Sequence, residues 1–351
     1  MRKVTTTPAH SGGITPALEH IDVELTRRCN LKCVHCSAGG NSVGQELTTD
    51  DVKRILIEGC GLGLRKVGFT GGEPLLRRRK MWELVRFCRN ELDLAIHLHT
   101  NGTMVSRKAA EEIQKAQIEA TITLYGSRPR THDSVTQTDG SMKSTLKGLQ
   151  RLQQAGANLF VYIVPMKSNL YQIIPLIKMI FEMGCTKVRI LSLCPTGRAI
   201  ENFAKFALNN EEELWLNSEL ARIKHEINIE LYAGYCTRQF YPELKTLPGH
   251  NTCLAAEDRI HIDALGNVFP CTASSGRAIF SVGNLRKPNY SLAEIWHKSP
   301  FFQFLRVFHL NPPGKCRACS LHKNCMSGCR ILMAHKYGDV TIADPKCRGP
   351  Y

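Results

Sequence analysis

The sequence of 351 residues lacks the features that place a protein in or across a membrane. No apolar run approaches the roughly 20 residues that a membrane-spanning helix needs. The first residues, Met-Arg-Lys-Val-Thr-Thr-Thr, contain no apolar core of the kind that a secretory signal carries. Low-complexity tracts and long-period repeats are also missing. We therefore expect a globular protein that works in the cytoplasm.

Acidic residues are scarce relative to basic ones. The 46 Lys and Arg residues exceed the 31 Asp and Glu residues, for a net charge of +15. A solvated basic surface accounts for such an excess, and attraction to an acidic peptide or to nucleic acid is the alternative. The only dense basic run is 77–80, and no aromatic-interleaved patch or nucleic-acid motif accompanies it. Nucleic acid is therefore not the favoured partner.

Cysteine, in contrast, is abundant. The chain has 15 cysteines, and in a reducing compartment they indicate metal or redox chemistry rather than disulfides. Hydrophobic residues make up 43% of the chain, which is enough for a sizeable core. A chain of this length predicts one large domain and a smaller one.

Three of the cysteines, Cys29, Cys33 and Cys36, lie within eight positions on one loop. The alternating segment 21–26 before them predicts a strand, so the thiols follow a strand end, where α/β proteins usually place chemistry. Soft thiolates suit an iron–sulfur cluster or zinc. A tetrahedral zinc site would need a fourth protein ligand unless it is catalytic, whereas a cubane cluster held by three cysteines leaves one iron open.

Strands and helices alternate from residue 21 onward. The predicted strands are 21–26, 66–70, 94–100, 119–125, 158–165 and 186–193. The predicted helices are 48–62, 77–90, 106–117, 142–155, 170–183 and 211–225. Six β–α units in a row imply parallel strands joined by right-handed crossovers. The predicted fold class is α/β, a partial (β/α)6 TIM-like barrel with an open side that would admit a large substrate. Residues 1–20 are expected to form a flexible segment before it.

The CxxxCxxC loop resembles that of the radical S-adenosylmethionine enzymes. The aromatic residue before its last cysteine, His35, fits the same pattern. The resemblance implies a 4Fe–4S cluster whose open iron binds the amino and carboxylate groups of S-adenosylmethionine. A second motif, Thr-Gly-Gly-Glu-Pro after the second strand, is similar to the family's GGE motif, which binds that amino group; a plain turn is the alternative. The implied cofactor-binding residues are His35, Gly71, Gly72, Glu73 and Pro74.

Three further strand ends fit this family less specifically. Asn101 lies in a Thr-Asn-Gly sequence, and Arg198 closes a Pro-Thr-Gly-Arg turn similar to one that flanks the cofactor. Thr123 stands where many relatives have a serine that contacts the adenosine ribose. Tyr125 replaces an acidic residue of those relatives, so no acid role is carried over to it. An ordinary barrel loop explains each of these segments equally well when it is taken alone.

Seven cysteines in the C-terminal third form the other strong signal. Their spacing is GxxxxC followed by CxxCxxxxxCxxxC. So small a segment cannot bury much apolar surface, and metal sites would stabilise it. A zinc ribbon also contains CxxC pairs. The order resembles the SPASM domain, which usually holds two auxiliary 4Fe–4S clusters. The expected domains are residues 21–235 for the barrel and 236–351 for the SPASM domain.

The resemblance also implies how these seven cysteines are divided. Cys253, Cys271 and Cys329 would hold the first auxiliary cluster, and the second would be held by Cys316, Cys319, Cys325 and Cys347. Two complete clusters need eight thiolates, and this region offers seven. The first auxiliary cluster therefore either has an open iron or is completed by Cys236 or by a histidine such as His250.

Cys194 follows the sixth predicted strand and lies beside the Pro-Thr-Gly-Arg turn. This position faces the expected mouth of the active site. We predict that Cys194 gives a hydrogen atom to a substrate radical, and a packing role is the alternative.

The resemblance implies an enzyme that cleaves S-adenosylmethionine to methionine and a 5′-deoxyadenosyl radical, which takes a hydrogen atom from the substrate. We expect the substrate to be a ribosomally made precursor peptide, modified by crosslinking, epimerisation or backbone excision. Modification of a tetrapyrrole in heme biosynthesis is the alternative, and a zinc-stapled basic binding protein is the alternative of a different class. The expected partners are an electron donor such as flavodoxin or ferredoxin and a separate small peptide-recognition protein, since 20 residues are too few for a built-in recognition domain.

Overall fold

A computed structural model describes residues 16–37, 44–234, 244–245, 253–286, 290–312, 314–320, 322–325, 327–344 and 347. In these parts of the chain ten strands form one sheet, in the order β10-β9-β8-β1-β2-β3-β4-β5-β6-β7. The strands are β1 (His20–Glu24), β2 (Lys66–Thr70), β3 (Ala95–Thr100), β4 (Glu119–Leu124), β5 (Leu159–Ile163), β6 (Lys187–Ile190), β7 (Glu230–Ala233), β8 (Arg259–Ile262), β9 (Asn267–Phe269) and β10 (Gly283–Asn284).

Strands β1 to β7 are neighbours in chain order, and each pairs with the next in parallel. The helices are α1 (Thr49–Gly61), α2 (Arg78–Asn90), α3 (Arg107–Lys115), α4 (Pro129–Thr136), α5 (Ser141–Gln154), α6 (Ile173–Glu182), α7 (Ala199–Phe206), α8 (Asn210–Glu226), α9 (Leu292–Lys298), α10 (Pro300–Leu310), α11 (His322–Cys325) and α12 (Arg330–Tyr337). The predicted α/β partial barrel is confirmed. Besides the six expected parallel strands, the sheet contains β7 and, on the other side of β1, β8, which are also parallel; helices α4 and α7 are added as well.

Local sequence explains where the barrel elements begin. Thr48 caps α1: its hydroxyl accepts from the Asp51 amide at 3.0 Å, and the Asp51 carboxylate accepts from the Thr48 amide at 2.9 Å. The central strands are rich in buried apolar residues because helices cover the outer face of a parallel sheet. Val67 and Phe69 of β2, for example, are fully buried. The same pattern makes these strands visible in the sequence.

The cysteine-rich third of the chain contributes to this same sheet. Strand β8 pairs in parallel with β1, on the side opposite β2, and β9 and β10 continue the sheet antiparallel. No strand is predicted here from the sequence, because β8 has four residues and β9 has three, too few for a clear two-residue period. The expected boundary at residues 235 and 236 lies outside the described residues.

A buried ion pair connects the barrel to the C-terminal region, next to the pairing of β1 with β8. The Glu24 carboxylate lies 3.1 Å from Nε2 of His261 and accepts from the hydroxyl of Ser275 at 3.1 Å. Burial favours the neutral form of each group, but their mutual hydrogen bond and charge outweigh it. The pKa of Glu24 is therefore lowered and the pKa of His261 is raised. These shifts favour the carboxylate form of Glu24 and the imidazolium form of His261.

Residues 16–20, the described part of the segment expected to be flexible, are packed against the barrel. Leu18 is fully buried and its amide donates to the Leu62 carbonyl at 3.0 Å. The indole of Trp296 donates to the Pro16 carbonyl at 2.8 Å. The expectation therefore fails for residues 16–20, because an apolar side chain here is needed to close the core; residues 1–15 lie outside the described residues. In the part of the chain that the structure describes, no helix combines the length and the apolar character needed to cross a membrane.

Candidate active site

A cavity of about 430 Å³ opens at the carboxyl ends of the barrel strands and reaches into the barrel. Cys29, Cys33 and Cys36 line one part of it, and three of the other predicted cysteines, Cys194, Cys253 and Cys271, line another. Both groups of thiols therefore face the same space. Five predicted cofactor residues also line the cavity, namely His35, Gly71, Gly72, Asn101 and Thr123.

The loop with the first three cysteines is held by backbone hydrogen bonds to the end of α4. The amide of Lys32 donates to the Thr136 carbonyl at 3.0 Å, and that of Val34 donates to Val135 at 2.9 Å. Burial, with a further contribution from the thiolates of Cys36 and Cys29, raises the pKa of Cys33 to about 12. All three cysteines also line the same cavity. Soft thiols gathered in this way fit a metal–sulfur group, which would displace the Cys33 proton on binding.

The two glycines after β2 pack backbone against backbone with the start of this loop. The Gly72 amide donates to the Thr26 carbonyl at 2.7 Å. A Cβ on Gly71 would lie 2.3 Å from that carbonyl oxygen, and one on Gly72 would lie 2.0 Å from the Arg28 oxygen. Gly71 also has a φ of +128°, which L side chains rarely adopt. Only glycine fits at these positions, so the motif is more than a plain turn.

Glu73 is buried, and protein donors already occupy its carboxylate. It accepts from the Thr100 hydroxyl at 2.8 Å, the Asn101 amide at 2.8 Å and the Leu75 amide at 3.0 Å. Burial raises its pKa, and these hydrogen bonds oppose that shift. Neither Glu73 nor Pro74 lines the cavity. The side chain of Glu73 therefore joins the loop after β2 to the end of β3.

The Pro-Thr-Gly-Arg turn supports the cysteine loop from the other side. The Arg198 Nε donates to the Cys33 carbonyl at 2.7 Å, and its amide donates to the Cys36 carbonyl at 3.1 Å. A Cβ on Gly197 would lie 2.1 Å from the Cys36 oxygen, and the φ of Gly197 is +51°. Arg198 contacts the loop's backbone and is not among the residues that line the cavity.

His35 and Asn101 lie beside the three cysteines. The His35 ring meets the Tyr125 ring edge-on, with centroids 5.0 Å apart. Burial, assisted by Arg198, lowers the pKa of His35 to about 4, so its imidazole is neutral. The side-chain Nδ2 of Asn101 lies 3.8 Å from Sγ of Cys29, within reach of a hydrogen bond to sulfur. His35 and Asn101 thus present an aromatic and a polar side chain next to the thiols.

A buried polar network at the inner end of the cavity was not predicted. Asp22 lies 3.1 Å from Nε2 of His20 and 3.9 Å from Nε2 of His99. Burial raises the pKa of Asp22, but these histidines bring it well below its usual range. A Cβ at Gly68 would lie 2.0 Å from the Asp22 carboxylate, so this glycine makes room for it. The sequence could have revealed this network. His97 and His99 lie two residues apart on one strand and therefore share a face of the sheet.

The pKa values of the C-terminal cysteines are influenced by their neighbours in two sets. Burial raises the pKa of Cys271 to about 12, with contributions from the thiolates of Cys253 and Cys329. Burial likewise raises the pKa of Cys325 to about 11, with contributions that include Cys347 and Cys316. The backbone amide of Cys319 donates to the Cys316 carbonyl at 3.3 Å.

The pKa of Cys194 responds to two members of the first set. Burial raises the pKa of Cys194 well above its ordinary value, and the thiolates of Cys329 and Cys271 add to the effect. Cys236 and His250, the other candidates for completing the first auxiliary cluster, lie outside the described residues. Among the described residues, no group of three or more His, Cys, Asp or Glu side chains is arranged around a single metal ion.

Two family models match the chain. That of the radical SAM superfamily covers residues 23–180, and that of SPASM, an iron–sulfur cluster-binding domain, covers residues 253–320. The chain therefore contains a radical SAM domain followed by a SPASM domain. These matches confirm the predicted family. They indicate S-adenosylmethionine and 4Fe–4S clusters as the cofactors, in place of the zinc of the alternative, the zinc-stapled basic binding protein. Cys325, Cys329 and Cys347 lie beyond the range of the SPASM match.

Two curated relatives of this chain differ in the activity that their names state. An AdoMet-dependent heme synthase of Methanosarcina barkeri is 28% identical and aligns over 95% of this chain and 97% of its own length. A PqqA peptide cyclase of Granulibacter bethesdensis is 25% identical over 92% of this chain and 85% of its own. Among solved structures, Streptococcus suis SuiB bound to its precursor peptide SuiA superposes with a TM-score of 0.76. It is 20% identical and covers 95% of this chain and 76% of SuiB, which shows a shared fold.

Proposed function

We propose that this radical SAM enzyme modifies a ribosomally made precursor peptide by crosslinking, epimerisation or backbone excision. One observation carries the proposal. The catalytic-loop cysteines Cys29, Cys33 and Cys36 and the auxiliary-site cysteines Cys253 and Cys271 face one cavity. A substrate in that cavity would lie within reach of both the radical-generating site and the first auxiliary site. The PqqA peptide cyclase among the relatives and the fold shared with SuiB support a peptide substrate.

The proposed ligands of the catalytic cluster are Cys29, Cys33 and Cys36. When bound, the cluster and S-adenosylmethionine supply a 5′-deoxyadenosyl radical, and the protein supplies position and protection from side reactions. The carbonyls exposed at Gly71 and Gly72 would accept from the methionine amino group. His35, Asn101 and Thr123 would contact the rest of S-adenosylmethionine, because all three face the cavity beside the cysteine loop.

The roles of Glu73, Pro74 and Arg198 are narrower than the resemblance implied. We propose that they position the cofactor loops rather than contact S-adenosylmethionine with their side chains. Glu73 already accepts from three protein donors, and Arg198 donates to the Cys33 carbonyl. The auxiliary clusters would be held by Cys253, Cys271 and Cys329 and by Cys316, Cys319, Cys325 and Cys347. The domain limits, 21–235 and 236–351, stay predictions.

Cys194 is the predicted hydrogen-atom donor. Its thiol faces the cavity, as a donor would, but from beside Cys271 and Cys329. This position favours a role at the first auxiliary cluster over donation to a substrate radical.

The polar network of His20, Asp22 and His99 at the inner end of the cavity would contact the substrate's polar groups. We also propose delivery of the peptide by a separate small recognition protein, reduction by a flavodoxin or ferredoxin, and action in the cytoplasm. Two cations of the basic run 77–80 are used within the protein: Arg77 pairs with Glu46 at 2.7 Å, and Lys80 donates to the Leu25 carbonyl at 3.1 Å. This use of the run gives no support to nucleic-acid binding.

Modification of a tetrapyrrole is the second candidate. The observation in its favour is the match to the heme synthase, which extends over 97% of that relative's length, against 85% for the peptide cyclase. A tetrapyrrole would have to enter the same cavity.

One experiment separates the two candidates. The anaerobically reconstituted, dithionite-reduced protein is incubated with S-adenosylmethionine and either short peptides encoded beside its gene or iron tetrapyrrole carboxylates. We expect peptide to stimulate 5′-deoxyadenosine release and to change in mass. Stimulation by the tetrapyrrole with loss of carbon dioxide would establish the second candidate instead. If 5′-deoxyadenosine never forms, the radical activity itself is refuted; a Cys33→Ala variant measures the background.

A further inference from the structure

The first auxiliary cluster has three assigned ligands, Cys253, Cys271 and Cys329, whereas a 4Fe–4S cluster with full protein ligation takes four thiolates. The two candidates from the same third of the chain, Cys236 and His250, lie outside the described residues. Among the described residues, one more thiol lies near the proposed site of the first auxiliary cluster, and it belongs to the barrel.

Cys194 lies four residues after β6 and faces the cavity along with Cys253 and Cys271. It is half-buried, and its open side is the cavity itself. The contact that holds the thiol is a long one, 3.7 Å from Sγ to the Ser192 carbonyl of the same turn. A thiol held this weakly is free to turn toward a ligand in the cavity wall.

Packing brings Cys329 to the same wall. Helix α12 begins at the residue after Cys329, and Leu332 in its first turn packs against the apolar cluster that contains Leu193 and Phe203. Further along the helix, the His335 ring meets the Phe203 ring edge-on with centroids 5.3 Å apart. The segment that carries Cys329 is thereby fixed against the exit of β6, where Cys194 lies.

Apolar packing places Cys271 beside Cys329. Cys329 belongs to the buried cluster that also contains Phe269 and Ile331, and Cys271 packs against that cluster. Leu332 packs against this cluster and also against the one that contains Leu193, the residue before Cys194. Cys194 is therefore linked to the auxiliary thiols by its placement, although it is a barrel residue.

We propose that Cys194 is the fourth thiolate ligand of the first auxiliary cluster, with Cys253, Cys271 and Cys329. The inference rests on the proposed assignment of those three cysteines. On assembly the Cys194 thiol would release its proton to solvent and bind iron as the thiolate, with no change in oxidation state. The first auxiliary cluster would then have no open iron for substrate, so its role would be electron transfer. One ligand from the barrel would also tie the cluster to the radical site.

The test isolates the auxiliary clusters and reads the ligand directly. In a Cys29→Ala/Cys33→Ala/Cys36→Ala background, reconstituted protein is examined by electron paramagnetic resonance and Mössbauer spectroscopy, with and without cyanide and after mild oxidation. With Cys194 present, we expect no cyanide-dependent change and no 3Fe–4S signal. Replacement by Cys194→Ala should open one iron, giving a cyanide-shifted spectrum and loss of about a quarter of that cluster's iron on oxidation.

The controls keep the outcome decisive. Cys194→Ser should retain the cluster with a shifted reduction potential, and it replaces the alanine variant if that variant loses the whole cluster. Cys88→Ala removes a buried thiol of the core and should match the background protein. A cyanide response while Cys194 is present, or an unchanged Cys194→Ala spectrum with a response in Cys236→Ala, would overturn the proposal. No S-adenosylmethionine or substrate is used, so this failure differs from failure of the proposed enzymatic activity.

Discussion

Residues 29–36 and residues 314–347 both present cysteines, but different structures hold them. The first segment is held by hydrogen bonds from the loops around it, including those of Val34 and Arg198. The described parts of the second contain a short 3-10 helix at Gly314–Ala318, one single-turn and one two-turn helix, α11 and α12, and no strand. Its buried apolar side chains, such as Ile331, Met333 and Val340, are few. We therefore expect the barrel loop to keep its shape without a cluster and the C-terminal segment to depend on its metal.

The largest expected effect follows from that difference. Removal of the clusters by a chelator should leave the barrel folded and open residues 314–347 to proteolysis, because metal binding contributes the folding free energy of such a small segment. Cys316→Ala/Cys325→Ala should have the same effect without a chelator. Mass mapping of limited proteolysis measures it, and Cys185→Ala, a core thiol elsewhere, is the control. Equal protection of both segments in the apo-protein would show that the contrast does not hold.

The next largest effect is expected at the Glu24–His261 pair, which connects the barrel to the C-terminal region. Glu24→Gln removes the carboxylate that faces His261, and breaking a buried ion pair costs about 3 kcal/mol. Urea unfolding of the holo-protein measures this free energy. Replacement of Glu83, whose carboxylate pairs with Lys53 at the surface, by glutamine should change it little. If both variants unfold alike, Glu24 does not join the regions.

The same pair predicts a pH dependence. The pKa of His261 is raised above its ordinary value of 6.5, so its contribution is complete below pH 6.5 and is lost as the pH rises through the folded-state pKa. The pKa of Glu24 is lowered from 4.5, so its contribution is present above that pH and is lost as the pH falls through the folded-state pKa. The difference in unfolding free energy between the native protein and Glu24→Gln should therefore shrink at both ends of a pH series. A difference that does not vary with pH would contradict the charged pair.

These elements also show what sequence patterns can and cannot reveal. The strands β1 to β6 and the loops at Gly71 and Asn101 were visible because each has a local period or motif. The pairing of Glu24 with His261 was not, since 237 positions separate the two residues and neither lies in a motif. The placement of Cys194 near Cys329 was hidden as well, because it depends on Leu332 packing against the cluster that contains Leu193, and these residues lie far apart in the chain. Local chemistry predicted the catalytic loop, and only the folded chain showed how the C-terminal region meets it.

The barrel loop itself can be tested by adding one methyl group. Gly72→Ala would place a Cβ 2.0 Å from the Arg28 carbonyl oxygen, so the loop after β2 must move away from the cysteines. We expect a loss on the order of 2 kcal/mol in unfolding free energy and a weaker affinity for S-adenosylmethionine. Gly61→Ala is the matched control, since no described atom outside its own helix lies within 4 Å of the position that its methyl group would take. Unfolding and ligand-binding titrations should separate the two variants.

The smallest effect is expected at Glu73. Glu73→Gln keeps the shape of the side chain but replaces one carboxylate oxygen by an NH2 group. This NH2 group would face a protein donor that now donates to the carboxylate. A loss of about 1 kcal/mol is expected for such a mismatch, together with a higher KM for S-adenosylmethionine and a similar kcat. A fall in kcat with an unchanged KM would instead indicate that this carboxylate takes part in the chemistry.

The position of β8 beside β1 has a consequence for the order of folding during synthesis. The strand that leads into the catalytic loop acquires its second neighbour only when residues 259–262 leave the ribosome. Until then the nascent barrel presents the unpaired backbone of β1, an edge on which another chain can assemble. A ribosome paused before this point would therefore hold an intermediate that needs a chaperone, although β1 to β7 are already paired with one another.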